Sequence, residues 1–211
     1  MTFSEFVHHL FHFDFSILLS TYGTAFYVIL FLVIFIETGL VIMPFLPGDS
    51  LLFVAGLFAR EGNISLSFLI LLLFIAAVLG DNVNYFIGKN IGLRMLQIRL
   101  GGKRLVKEEY LDRTQAFYAL HGPKTIIMAR FVPIVRTFAP FVAGIAQMKY
   151  KTFFLFDVLG GALWVSSMTI AGYFLGHFDL IKKHIDLVTV AIILLSVLPM
   201  ILSYVTRKKT V

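Results

Sequence analysis

Apolar residues in this chain fall into long unbroken runs, at roughly 22–43, 50–59, 66–88, 125–148, 152–176 and 187–205. A helix needs about 20 consecutive apolar residues to cross a bilayer core. The runs 66–88, 152–176 and 187–205 meet that length and predict three simple transmembrane helices. The run 22–43 is also long enough, but it leads straight into Pro44-Phe45-Leu46-Pro47-Gly48-Asp49. Only ten residues then precede Arg60-Glu61-Gly62-Asn63. Ten residues do not cross, so 22–59 predicts a re-entrant hairpin that breaks at Pro44–Asp49 and returns to its own side. The run 125–148, interrupted by Pro133 and Pro140, predicts a second, shorter hairpin, because proline removes a helical hydrogen bond and clashes with the preceding turn.

An internal repeat gives these segments an order. Phe53-Val54-Ala55-Gly56 recurs as Phe141-Val142-Ala143-Gly144, and Tyr85-Phe86-Ile87-Gly88 recurs as Tyr173-Phe174-Leu175-Gly176, both at an offset of 88 residues. The expected architecture is an all-α polytopic membrane protein built from inverted repeats. Each repeat is a re-entrant hairpin plus one transmembrane helix, a plan used by transporters. The whole chain, 1–211, reads as one membrane domain. It comprises an amphipathic segment (1–20), repeat 1 (22–92), a basic loop (93–123), repeat 2 (124–176) and an extra C-terminal transmembrane helix (187–206). The first fifteen residues hold no Lys or Arg, so they lack the basic start of a cleaved signal peptide and read as an interfacial helix.

Composition agrees with the pattern. Hydrophobic residues make up 59% of the chain and charged ones 14%, against about 25% charged in soluble domains. Mean hydropathy is +0.90. The absence of cysteine excludes disulfides, iron–sulfur clusters and thiolate zinc. The net charge of +6 points to loop charge in a membrane protein and away from nucleic acid as a partner. If both hairpins are re-entrant, thirteen basic residues fall on one face: eight between Lys89 and Lys124, then Lys149, Lys151, Arg207, Lys208 and Lys209. Arg60, Lys182 and Lys183 fall on the other. The positive-inside rule then makes the basic loop and the C-terminus cytoplasmic. The hairpins would enter from opposite sides, with their tips near the midplane.

Two of the remaining basic residues, Arg130 and Arg136, lie inside the apolar run Thr125–Gly144. An intramembrane guanidinium is costly unless paired or hydrated, and it marks function by default. Glu37 and Asp49 flank the first break. At the 88-residue offset Asp49 aligns with Thr137, next to Arg136, so the two breaks are expected to bring acid and base together. One reading is a set of structural salt bridges. The other assigns Arg130 and Arg136 to the phosphate of a substrate, which their planar forks suit. Glu37 and Asp49 then couple or gate by taking up protons. Pro44, Pro47 and Gly48 permit a sharp turn ahead of a helix whose N-terminus favours anions.

Asp81 and Asp157 are secondary candidates, the latter expected to make a local hydrogen bond to a helix partner. Gly80, Gly160, Gly161, Gly172 and Gly176 are expected to let helices approach closely, and Trp164 to serve in packing or as an interface anchor. His8 and His12 have the spacing of a metal pair, but headgroup contacts suit them better; no metal site and no cofactor are expected. Nucleophile-elbow, zinc-protease and phosphate-loop motifs are missing, so the chain reads as a non-enzyme. Rival classes are a proton-coupled ion antiporter and a non-transporting membrane-assembly scaffold.

The segments Glu37–Gly56, Gly80–Gly88, Arg130–Met148 and Gly161–Gly176 together resemble the DedA family of bacterial inner-membrane proteins, and the chain looks close to that family's founding member. The resemblance covers roughly 20–176. It implies a multi-pass protein of the bacterial cytoplasmic membrane that translocates undecaprenyl phosphate, phosphatidylethanolamine or another phosphate-bearing lipid. Dependence on proton motive force is implied for some members. The family's functional acids fall on Glu37 and Asp49, and its arginines on Arg130 and Arg136. Asp157 departs from the pattern, since many relatives carry Asn there. The expected partners are phosphate-headgroup lipids and protons, and a homo-oligomer is compatible with the pattern.

Overall fold

The computed structural model describes residues 24–40, 48–60, 64–92, 99–100, 103–104, 118 and 122–178. The expected amphipathic segment, Pro44, Pro47, the helix 187–206 and most of the basic loop lie outside these residues. Helix α1 is Ala25–Gly39, α2 is Gly48–Arg60 and α3 is Leu66–Ile87, which continues into a π-helical turn, Gly88–Gly92. A minimal antiparallel hairpin follows, β1 (Arg99–Leu100) against β2 (Lys103–Arg104), with Arg99 opposite Arg104. Then come α4 (Lys124–Ala129), α5 (Pro133–Ile145) and α6 (Tyr150–Leu175). Apart from that hairpin, the described secondary structure is helical.

Length separates the helices into two kinds. Leu66–Ile91 and Tyr150–Leu175, 26 residues each, are the described helices long and apolar enough to cross a membrane. At 1.5 Å per residue each is ~39 Å long, against a core of about 30 Å. Helix α1, with 15 residues, and α2 and α5, with 13 each, fall short of that thickness. The outward positions of the long helices are apolar: Phe68, Leu71, Ile75, Leu79, Val83 and Phe86 on α3, and Leu155, Leu159, Leu163 and Phe174 on α6. Glu37, Asp81, Arg130, Arg136 and Asp157 are buried. Oil outside and charge inside is the order expected of a protein dissolved in lipid.

The break between α4 and α5 follows from Pro133. The residue before a proline is pushed out of the helical region, and Val132 is extended at φ −119°, ψ 106°. Pro133 then starts α5 at a position where its missing N–H leaves no helical bond unmade. The sequence predicted a break at Pro140 too, but Pro140 lies within α5. Buried proline is tolerated in membrane helices when neighbours bond the backbone around it. Asn84 Nδ2 donates to the Thr137 carbonyl at 2.7 Å, and the Tyr118 hydroxyl donates to the Ala139 carbonyl at 3.2 Å.

The chain forms two compact units. The first takes the described residues 24–34, 48–60, 64–76 and 163–178; the second takes 35–40, 77–92, 99–100, 103–104, 118 and 122–162. In the first unit α2 meets the end of α6 backbone to backbone: a Cβ at Gly56 would strike the Thr169 carbonyl, and one at Gly172 the Phe53 carbonyl. In the second unit α5 meets the end of α3 in the same way, Gly144 against the Tyr85 carbonyl and Gly88 against the Phe141 carbonyl. Both short helices therefore use their Phe-Val-Ala-Gly motif at the crossing. Each packs on the long helix that does not follow it in sequence. Tyr85, Ile126, Ala143 and Phe153 form the apolar core of the second unit, with Tyr85 stacked on Phe153 at 4.5 Å between ring centroids.

Candidate functional site

The second unit gathers five charged side chains in its interior. Arg130 caps the C-terminal end of α4, and the chain turn that follows leaves its side chain among α3 and α6. Its Nη2 donates both to Asp81 Oδ2 on α3 and to Asp157 Oδ1 on α6, the latter at 2.5 Å. The guanidinium has room because α6 presents Gly160 and Gly161 one turn beyond Asp157. A Cβ at Gly160 would lie 3.1 Å from Arg130 Cδ, and one at Gly161 would lie 3.4 Å from Arg130 Cζ. Arg130 Nε is buried and has no acceptor among the described residues.

Arg136, on the first turn of α5, donates from Nη2 to Glu37 Oε1 at 2.5 Å. Asn84 on α3 braces this pair from both sides. Its Nδ2 donates to the carbonyls of Thr38 at 3.0 Å and Thr137 at 2.7 Å, the neighbours of Glu37 and Arg136. Glu37 and Asp157 have no exposed surface, and Asp81, Arg130 and Arg136 have 6% or less. A carboxylate beside each guanidinium offsets the cost of burying both, and removing one partner strands the other.

The first unit holds a separate polar contact. Asp49 lies in the first turn of α2, where a negative charge suits the helix dipole. It accepts a hydrogen bond from Trp164 Nε1 on α6 at 2.7 Å. Replacing Trp164 with Phe keeps most of the packing and deletes this buried donor. The expected cost is about 1–3 kcal/mol, read as a lower melting temperature of the purified protein in detergent.

Of the residues singled out in the sequence, Glu37, Arg130, Arg136, Asp81 and Asp157 come together in the second unit, and Gly48 and Asp49 lie in the first. Arg136 pairs with Glu37, and Asp49 accepts a hydrogen bond from Trp164. Asp157 was expected to bond locally, yet it reaches Arg130, 27 residues away in the chain. The spacing of Asp157 to Gly160 and Gly161 was the available signal, since i, i+3 and i+4 share a helix face. Trp164 is fully buried and is a hydrogen-bond donor as well as a packing residue. Asn84 was missed; a lone Asn in an apolar span, which seeks a backbone carbonyl there, was its signal. Among the described residues no cluster of three metal-ligating side chains occurs.

At the loop end of the second unit, Tyr118, Gln147, Lys149 and Thr152 help to line an open cavity of about 590 Å³. Burial pushes the Tyr118 phenol up to about 12, so it stays a hydrogen-bond donor to Ala139 at physiological pH.

Residues 46–174 match the VTT domain family. Over 194 residues the chain is 46% identical to Protein DedA of Escherichia coli K12, covering 91% of this chain and 88% of that protein. The chain belongs to the DedA family. It is 40% identical over 186 residues to an uncharacterized membrane protein of Mycobacterium tuberculosis, covering 87% and 81% of the two chains. It is 35% identical over 172 residues to the inner membrane protein YqjA of Escherichia coli K12, covering 81% and 77%. No solved structure matches. The mycobacterial relative and YqjA are named as membrane proteins, in keeping with the oil-outside helices of this DedA-family chain. The VTT match runs from α2 to α6 and includes Asp49, Asp81, Arg130, Arg136 and Asp157, with Glu37 just ahead of it.

Proposed function

We propose that this DedA-family chain moves a lipid with a phosphate headgroup across the bacterial cytoplasmic membrane, with proton uptake. Undecaprenyl phosphate is the first choice of substrate, and phosphatidylethanolamine or another phospholipid the next. The observation that carries the reading is the state of Arg130 and Arg136. Both guanidiniums are buried beside the α4–α5 break and are held by carboxylates, with Arg130 Nε still lacking an acceptor. A phosphate presents pairs of anionic oxygens that a guanidinium fork also binds, so it can take the place of a carboxylate that has gained a proton. In this scheme Arg130 and Arg136 grip the phosphate, and Glu37 and Asp49 take up protons as the site alternates.

The scheme keeps 22–59 and 125–148 as re-entrant hairpins of a duplicated, inverted fold, with the C-terminus cytoplasmic. The glycine crossing that recurs in both units supports the duplication. The ion pairs also favour a second reading, a membrane-assembly scaffold in which charged pairs simply hold helices together.

Reconstitution in liposomes tests the proposal. Leaflet exposure of undecaprenyl phosphate and of phosphatidylethanolamine is followed with and without a pH gradient, beside arms for free inorganic phosphate and for sodium flux. Gradient-sensitive lipid movement that fails in Arg136→Ala is the expected result. Ion flux without lipid movement would instead make the chain an antiporter.

A further inference from the structure

The buried charges of the second unit do not balance. Glu37, Asp81 and Asp157 stand against Arg130 and Arg136, and no other charged side chain is buried among the described residues of that unit. With every group ionised the interior carries one negative charge in excess, and one proton removes it. The structure also indicates where that proton sits. A single nitrogen of Arg130 serves both Asp81 and Asp157, which brings the two carboxyl groups side by side. Asp157 Oδ2 is buried with no hydrogen-bond partner. An ionised oxygen left without a donor in apolar surroundings is strongly disfavoured. Two carboxylates that share a dehydrated site accommodate each other by holding one proton between them.

We propose that Asp81 and Asp157 share one proton at rest and form the proton-loading site at Arg130, where a second proton frees the guanidinium for the phosphate. This rests on Arg130 being a phosphate-binding group, and it moves the loading step of that scheme from Glu37 and Asp49 to the Asp81–Asp157 pair. At rest the pair with one proton carries one negative charge, which Arg130 neutralises. When the pair gains a second proton, both carboxyls are neutral and the charge of Arg130 passes to the headgroup. A phosphate of single negative charge therefore enters with one proton, and the interior stays neutral throughout. The groups facing the pair are Arg130 from the α4–α5 break and, at longer range, Arg136 from α5. Glu37 on α1 is taken up by Arg136, which is why the excess charge falls on the Asp81–Asp157 pair.

The full-length protein in liposomes tests this by two measurements. Difference infrared spectroscopy at neutral pH is expected to show the carbonyl stretch of a protonated carboxylic acid in the wild-type protein, lost in Asp157→Asn. Absence of that band from the wild type would overturn the shared proton whatever the variants do. In the second measurement, binding of a polyprenyl phosphate probe, capped as its methyl ester so that the phosphate keeps one negative charge at every pH used, is followed against pH. Uptake of one proton per lipid weakens wild-type binding about tenfold for each pH unit above the loading transition. The double variant Asp81→Asn with Asp157→Asn is expected to change by less than about twofold over the same range, since its Arg130 has no carboxylate to release. A double variant that keeps the wild-type pH dependence moves the loading site elsewhere and sinks the inference. If the wild type binds no polyprenyl phosphate at any pH, the phosphate reading fails, and the infrared band still decides the shared proton.

Discussion

Replacing Arg130 with Met is expected to abolish lipid movement and to destabilise the protein by about 3–5 kcal/mol, the usual cost of stranding one side of a buried ion pair. Asp81 and Asp157 would face each other with no cation between them. The informative variant is the triple, Arg130→Met with Asp81→Asn and Asp157→Asn. Nothing charged is left at that point, so the penalty of stranded carboxylates is removed and only the smaller cost of two buried amides remains. Its melting temperature in detergent should therefore return towards wild type. Lipid movement should not return, because only Arg136, held by Glu37, remains of the two guanidiniums that grip the phosphate. If the triple variant moves lipid like the wild type, Arg130 is a structural strut and the phosphate is held elsewhere.

Exchanging the charges of the second pair gives an equally sharp outcome. Glu37→Arg alone or Arg136→Glu alone places like charges together in a buried site, and each is expected to lower the melting temperature in detergent sharply. The exchanged pair restores an acid opposite a base between α1 and α5. A double-mutant cycle on melting temperature should show strong favourable coupling between the two changes. Transport should still fall on the order of a hundredfold or more, the scale of losing a preorganised donor to a reacting or bound anion. The reason is position: the cation would sit on α1, away from the break that carries Arg130. Wild-type lipid movement by the exchanged protein would remove Arg136 from the phosphate site.

Much of this arrangement was legible in the sequence. The two long helices follow from uninterrupted apolar runs, and the α4–α5 break follows from Pro133 acting on Val132. Arg130 and Arg136 stood out because charge in an oily run demands a partner. The partners themselves were harder to read. The pairing of Glu37 with Arg136, 99 residues away, has no local signal in the chain, because the folded backbone alone brings the two together. Pro140 misled for a related reason. Its local rule predicts a break, but Asn84 and Tyr118 bond the surrounding carbonyls from elsewhere in the chain. Trp164 and Asn84 were underrated because their partners, Asp49 and two backbone carbonyls, are set by tertiary packing alone.

The distances in sequence between these charges carry a consequence for how the protein is made. Glu37 precedes its arginine by 99 residues, Asp81 precedes Arg130 by 49, and Asp157 follows Arg130 by 27. A ribosome delivers the chain from its N-terminus, so two of the three acids reach the membrane well before any cation that can meet them. The helices bearing Glu37 and Asp81 must wait at the insertion machinery or enter with their carboxyls protonated. Only when residues 130–157 arrive can the ionic interior close. Electrostatic assembly is therefore a late step in the making of this protein, and a nascent chain stopped short of Arg130 holds Glu37 and Asp81 with no cation to meet them.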